Sequence, residues 1–237
     1  MISFNVNSNE PHPSNTITII GVTYDDGIIL GSTDTTTQLN ANVVSCHCVH
    51  ETEILLKDAQ NFILDQENVM ITAKTIGTML SAFNSRMKNM GQTSVIIGGG
   101  KKIFEVNDVG IVTEKSNFCV AGYGVAYLNK FLEKEWRKGM NEEEAEKLVL
   151  KTLSLNFSLG GVRICGIETA SVNSKGVTRV FHHRDTLPTM QEELDLEHSA
   201  EERDVLECVC ERFSLCVNLN ADVSIQEGVD WTVKENS

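Results

Sequence analysis

The chain has 237 residues and a formal net charge of −13, and 41% of its residues are hydrophobic. This composition is typical of a globular protein with a substantial core, and no apolar run approaches the roughly 20 residues that span a bilayer. An acidic chain without a basic stripe argues against nucleic-acid binding and against attraction to anionic membranes, so we expect neither partner.

The first part of the chain predicts a polar leader followed by a β-hairpin. Residues 1–15 are polar and show no signal-peptide pattern, so we interpret them as a leader or propeptide-like segment. Thr16 to Tyr24 and Ile28 to Ser32 are β-rich and flank an Asp-Asp-Gly turn, which indicates a hairpin. Ala41 to Val49 is compatible with another strand, whereas Glu53 to Leu64 fits a strand or a helix.

The middle of the chain predicts one helix and three strands. Ile71 to Met90 has apolar residues at helical spacing and is followed by Gly91, which favours a helix that ends there. Thr93 to Gly98 and Lys102 to Val106 flank a glycine-rich turn and predict a second hairpin. A short strand is expected at Phe118 to Ala121.

Two helices and a last hairpin are expected next. Val125 to Lys138 has a helical pattern, and Asn141 is placed to cap a further helix over Glu142 to Asn156. Val162 to Glu168 and Gly176 to His182 then indicate a hairpin. Most of these strands come in hairpins, and the helices follow one another along the chain instead of alternating with single strands. This order predicts an α+β fold with antiparallel sheets and helices on their outer faces.

The composition changes after Pro188. From Arg184 to the end, fourteen Asp and Glu residues stand against four Lys and Arg residues, a net charge of −10. We interpret residues 189–237 as an acidic C-terminal extension, either an arm that wraps a neighbouring subunit or a solvated appendage, and we favour the arm because apolar residues recur in it. Seven cysteines without a secretory signal favour free thiols in a reducing compartment.

Five segments resemble motifs of one known family when read in order. They are IIGVTYDDGIILG at 19–31, TSVIIGG at 93–99, AGYGVAYL at 121–128, GMNEEEAEKL at 139–148 and SLGGVRI at 158–164. Together they make the chain similar to 20S proteasome β subunits, and the last hairpin is most similar to the caspase-like β type. The resemblance implies an N-terminal nucleophile hydrolase fold, a four-layer αββα sandwich of two antiparallel sheets between helix layers, with the β-type domain at residues 16–188.

The resemblance also implies a catalytic mechanism. In the family, a threonine freed by self-cleavage after a glycine uses its own α-amine as the base, supported by lysine, aspartate and serine side chains. With the register anchored on the Asp26-Gly27 turn, the nucleophile position falls on Ile17, the first aspartate position on Thr33 and the lysine position on Val49. The later positions are occupied by Val125, Asn156 and Leu159.

None of these six residues is charged, and Ile17 has no hydroxyl. We therefore predict a non-catalytic structural β subunit that assembles with other β subunits and α subunits in the cytoplasm and nucleus. The alternative is an active, divergent threonine endopeptidase that uses Thr16 after a one-residue slip in register. Thr16 follows Asn15, however, rather than the glycine that self-cleavage requires.

The segment Cys46-His47-Cys48-Val49-His50 contains residue types that bind metals. On a regular strand, Cys46, Cys48 and His50 would share one face and His47 would point away. A closed structural zinc site requires four ligands, usually with wider spacing, so we predict no metal and no cofactor.

Overall fold

A computed structural model describes residues 17–86, 93–160 and 165–187, and within them the chain forms ten strands, four α-helices and a short 3-10 helix at Arg184–Thr186. The strands are β1 Thr18–Thr23, β2 Gly27–Ser32, β3 Thr36–Asn40, β4 Val43–His47, β5 Val95–Gly99, β6 Lys102–Val106, β7 Val112–Lys115, β8 Phe118–Gly122, β9 Gly166–Asn173 and β10 Gly176–His183. The helices are α1 Thr52–Ile63, α2 Val69–Arg86, α3 Val125–Glu135 and α4 Glu142–Gly160.

The strands form two antiparallel sheets of five. The first sheet has the order β10-β9-β2-β1-β8, and the second is a meander in the order β3-β4-β5-β6-β7. The β1–β2 hairpin forms the centre of the first sheet, with Gly21 opposite Leu30. Strands β8 and β9 return from later in the chain and flank this hairpin on its two sides.

Three hydrophobic clusters define the layers of the fold. One cluster lies between the first sheet and helices α3 and α4, and includes Ile20 and Ile29. A second lies between the other sheet and helices α1 and α2, and includes Ile97 and Phe104. The third lies between the two sheets; among its members are Ile19, Ile28, Leu30, Ile96 and Ile103. The predicted α+β, αββα arrangement is confirmed.

Neighbouring residues along a strand enter different clusters. Ile19 faces the other sheet and Ile20 faces the helices, because successive side chains of a strand point to opposite faces. Both faces of the central strands are therefore buried, which explains why β1 and β2 have nearly continuous apolar sequences.

Two strands were not predicted from the sequence. Thr36 begins β3, which pairs with β4, in a threonine-rich segment for which no strand was predicted. Strand β7 is also additional, and none of its four residues is fully buried. Their polar or exposed residues lack the apolar alternation on which strand prediction depends.

Several element boundaries also differ from the prediction. The ambiguous segment at 53–64 is helix α1, with one buried face that includes Leu56 and Ala59. Within the described residues, the first strand of the last hairpin spans Gly166–Asn173 and continues past its predicted end at Glu168, whereas the predicted start at Val162 lies outside the described residues. Helix α4 continues to Gly160. The proposed leader at 1–15 and the extension at 189–237 lie outside the described residues, so the domain boundaries stay predictions.

In the part of the chain that the structure describes, no helix is both long enough and apolar enough to cross a membrane.

The contact between the two sheets provides a test of the layering. Leu30 is fully buried between the sheets, whereas Leu64, at the end of α1, is 62% exposed. Leu30→Ala should lower the free energy of unfolding by about 2–5 kcal/mol, because it leaves a cavity in a packed core. Leu64→Ala is the matched control and should change it by less than about 0.5 kcal/mol. Chemical denaturation measures both, and equal losses would contradict the assigned layers.

Candidate active site at the start of β1

The predicted nucleophile position lies where the chain enters β1. Ile17 is partly buried and packs against the cluster between the sheets. Its carbonyl oxygen lies so close to Gly122 that a Cβ there would come within 2.1 Å, and Gly122 has a φ of +98°. Glycine at the end of β8 therefore allows the strand to reach Ile17. The side chain at this position is aliphatic and cannot act as a nucleophile.

Thr33, at the predicted aspartate position, is bonded to the first residue of β1. The backbone N–H of Thr18 donates to Oγ1 of Thr33 at 3.0 Å, and the N–H of Thr33 donates to the carbonyl of Thr18 at 3.1 Å. Both residues are buried. The Thr33 hydroxyl thus holds the end of β2 against β1, and it supplies no negative charge to this site.

The hydroxyl of Thr18 links three parts of the fold. It donates to the carbonyl of Tyr123 at 3.0 Å and accepts from Nδ2 of Asn156 at 2.5 Å. Asn156 is 3% exposed, and its Oδ1 has no hydrogen-bond partner among the described residues. A Cβ at Gly124, which has a φ of +74°, would lie 2.9 Å from that oxygen. The loop between β8 and α3 therefore packs directly on the Asn156 amide.

The other predicted positions are distributed around this network. Val49 is buried and belongs to the same cluster between the sheets as Ile17. Val125 is the first residue of α3 and is 38% exposed. Leu159 lies on the last turn of α4, but its side chain is outside the described residues. Thr16, the alternative nucleophile, is also outside them.

The structure therefore brings Ile17, Thr33 and Asn156 together around the start of β1. Among these residues and Val49 there is no acid, no base and no nucleophile. The single hydroxyl proton of Thr18 is donated to a carbonyl, so this hydroxyl has no adjacent base that would activate it. The described part of the site is a neutral hydrogen-bond network that fixes β1, β2, α4 and the β8–α3 loop.

A cavity of about 430 Å³ lies beside this network. Its lining residues are Cys48, Ser94, Glu105 and residues 120–125. Glu105 pairs with Lys115 at 2.9 Å, so the carboxylate in the cavity wall has a cationic partner. The cavity has the size of a small-molecule site, but its ionised group is already paired.

The cysteines near the cavity are not activated nucleophiles. Burial raises the pKa of Cys48, and burial together with the nearby Glu105 carboxylate raises the pKa of Cys119 to about 12. Nucleophilic cysteine requires the thiolate, which such a pKa suppresses at neutral pH. These thiols act as small apolar groups in the core.

The histidines beside this region are arranged differently from the sequence expectation. Strand β4 ends at His47, so strand alternation does not continue to His50. Cys46 and Cys48 enter the core between the sheets, whereas His50 lies near His47 and Asp34, and ligand atoms of these three residues are all within 4.8 Å of one another. The predicted common face of Cys46, Cys48 and His50 is wrong, because the chain turns between β4 and α1.

Burial removes His47 from solvent and lowers the pKa of its imidazole. Its side chain is fully buried, and neither ring nitrogen has a hydrogen-bond partner among the described residues. Burial lowers the pKa of His47, partly opposed by the carboxylate of Asp34, so the ring is neutral near pH 7. An unsatisfied buried polar group costs about 1–3 kcal/mol.

Two features of this region were missed by the sequence analysis. Thr18 was not identified as a site residue, although its hydroxyl is the centre of the network. The sequence signal that could have identified Thr18 is its position directly after Ile17, the predicted nucleophile position. Asp34 was not connected to the histidines, because no local pattern links it to His47, thirteen residues later.

Ten antiparallel strands in two stacked sheets, covered by two helix pairs, define the class of N-terminal nucleophile hydrolase folds. A family model described as "Proteasome subunit" matches residues 48–158. The chain is 33% identical over 218 residues to proteasome subunit beta type-6 of Arabidopsis thaliana, covering 82% of this chain and 93% of that protein. It is 25% identical over 203 residues to proteasome subunit beta type-9 of Salmo salar, covering 74% and 91%.

An archaeal protein is also similar. Proteasome subunit beta of Methanococcus vannielii is 31% identical over 91 residues, which cover 36% of this chain and 42% of that protein. The chain belongs to the proteasome subunit family and is a β-type subunit of the 20S core.

The Thr18 hydroxyl can be tested by substitution. Thr18→Val keeps the shape of the side chain but removes the acceptor of the Asn156 amide, so it should lower the free energy of unfolding by about 1–3 kcal/mol. Thr18→Ser keeps the hydroxyl and is the matched control, which should retain more stability than Thr18→Val. Equal stability of Thr18→Val and the unsubstituted chain, measured by urea denaturation, would contradict the network.

Proposed function

We propose that this chain is a non-catalytic, structural β subunit of the 20S proteasome core. In this role it occupies a place in a β ring next to α subunits and other β subunits, and helps to enclose the chamber where proteins are degraded. Peptide-bond hydrolysis is then carried out by neighbouring subunits, and the chain works in the cytoplasm and nucleus with them.

The observation that carries this proposal is that uncharged residues, Ile17 and Thr33, occupy the nucleophile and aspartate positions on either side of the Thr18 hydrogen-bond network. A threonine peptidase needs a terminal hydroxyl, a free α-amine and charged partners that lower the proton affinity of the amine. Here the nucleophile position is aliphatic, and the aspartate position is a buried threonine whose hydroxyl accepts a backbone N–H. A general base alone contributes typically ~10²–10⁴-fold in rate, so joint replacement of these groups removes most of the catalytic advantage.

Exposed apolar side chains support a role in assembly. On α1 and at its end, Ile54, Phe62 and Leu64 are each more than 60% exposed, and Ile71 on α2 is 46% exposed. Several large apolar side chains exposed on one helix layer are suited to contact with another protein. This layer faces away from the sheets, where a neighbouring subunit has access to it.

Catalytic inactivity can be tested in the native complex. The chain should be affinity-purified under native conditions, treated with an epoxyketone or boronate probe, and separated from its partners for intact-mass analysis. We expect a complex of many hundreds of kilodaltons with probe adducts on other subunits and none on this chain. Thr16→Ala should leave the peptidase activity of the complex unchanged, because this chain contributes no nucleophile.

Two results would contradict the proposal. The first is a covalent adduct on this chain whose mature amino terminus is Thr16, which would establish the active-peptidase alternative. The second is a stable monomer or dimer, which would show that the chain does not assemble into the 20S core.

The apolar helix layer gives a second test. Phe62→Ser should weaken association with the other subunits by about tenfold, because truncating an aromatic anchor at an interface typically costs more than 1 kcal/mol. Asn61→Ser changes the exposed neighbour on the same helix and should leave association unchanged. Quantitative native mass spectrometry of the purified complexes measures the incorporated fraction. Equal incorporation of both variants would exclude this layer from the interface.

A further inference from the structure

Three potential metal ligands from different parts of the chain meet beside the start of α1. Asp34 lies in the connection between β2 and β3, His47 ends β4, and His50 lies in the turn before α1. Nδ1 of His50 is 3.5 Å from Oδ2 of Asp34, and one ligand atom from each residue lies within 4.8 Å of the others. The fold thus gathers two imidazoles and one carboxylate at one point.

The state of His47 is an independent sign of a ligand. Its side chain has no exposed surface, and both ring nitrogens lack hydrogen-bond partners among the described residues. Buried imidazoles in proteins normally donate or accept at least one hydrogen bond. A cation held between His47, His50 and Asp34 would give one of these nitrogens the partner that it lacks.

The ligand set selects the kind of ion. Imidazole nitrogen suits zinc, copper, iron and nickel, whereas calcium and magnesium prefer sites built from oxygen atoms alone. Three protein ligands with an open fourth position are a known arrangement for zinc. We propose that Asp34, His47 and His50 form a binding site for one zinc ion, in contrast to the sequence expectation of no metal.

Only small movements are needed to close this site. Zinc bonds of 2.0–2.1 Å in tetrahedral geometry place ligand atoms roughly 3.3 Å apart. The ligand atoms of Asp34, His47 and His50, which lie within 4.8 Å of one another, would therefore move slightly closer together. His50 is 73% exposed and Asp34 is 31% exposed, so both have room to approach the fully buried His47. Oε2 of Glu53 lies 4.0 Å from Nδ1 of His50 and is available for the fourth position, although Glu53 also pairs with Lys57.

A bound ion would cross-link three segments of the chain at one point. It would fix the β2–β3 connection, immediately after Thr33, to the end of β4 and to the turn that leads into α1. This role is structural and does not depend on whether the subunit is catalytic. The site therefore stabilises the part of the fold next to the start of β1.

Metal binding can be measured on the reduced full-length chain with Zn²⁺ in competition with a chromophoric chelator. We expect one ion per chain with a dissociation constant on the order of micromolar or lower. His50→Ala and Asp34→Asn, which change partly exposed side chains, should each weaken binding by at least about tenfold. His183→Ala removes an exposed histidine on β10 and is the matched control, with unchanged binding.

Co²⁺ serves as a spectroscopic probe of the same ligands. Visible absorption of a tetrahedral or five-coordinate ion without thiolate charge-transfer bands would support histidine and carboxylate ligation, whereas thiolate bands would assign the metal to cysteines and overturn the proposal. No binding at micromolar Zn²⁺ would overturn it too, as would undiminished affinity in the Asp34→Asn/His50→Ala double variant.

Discussion

The two sheets pack face to face through aliphatic side chains that have no contact with solvent. Ile28 and Leu30 of β2 and Ile96 and Ile103 of the facing sheet are fully buried in that contact. Because the opposite face of each sheet is covered by helices, the central strands must be apolar on both sides. This requirement fixes the register of β1 against β2, and it holds the start of β1 at the edge of the sheet contact.

The polar groups at the start of β1 follow from that fixed register. Thr18 and Thr33 exchange backbone and side-chain hydrogen bonds where β1 and β2 meet, and Asn156 reaches Thr18 from the helix layer. Each hydrogen bond of this network adds modestly to stability, and Oδ1 of Asn156 has no partner among the described residues. In this β-type subunit the network stabilises the junction between sheet and helix, which is consistent with the structural role that we propose for the chain.

The exposed side of α1 and its amino-terminal end carry chemically different side chains. Its exposed side carries Ile54 and Phe62, whose apolar area is suited to another protein. Its amino-terminal end lies next to His47 and His50, where imidazoles and carboxylates are concentrated. A contact surface and a proposed ion site thus share one short helix, and an ion that fixes the start of this helix would also fix the position of its apolar side.

Fold class and family could be predicted from local features of the sequence. Apolar runs in the strands, helically spaced apolar residues, the Asp-Asp-Gly turn and the glycines after β5 and β8 are local signals, and a local signal can be read without knowing what lies opposite it in the fold. The assignment of Ile17 to the nucleophile position also comes from local motifs, and it stays a prediction.

Which distant residues meet follows from the tertiary structure and not from local patterns. Strands β3 and β7 form because a neighbouring strand supplies their hydrogen bonds, so polar sequence does not prevent them. Thr18 meets Asn156, 138 residues away, and Asp34 meets His47 and His50 across a sheet edge and a turn. Such contacts depend on the path of the whole chain, and strand alternation alone wrongly grouped His50 with the cysteines because it could not show that β4 ends at His47.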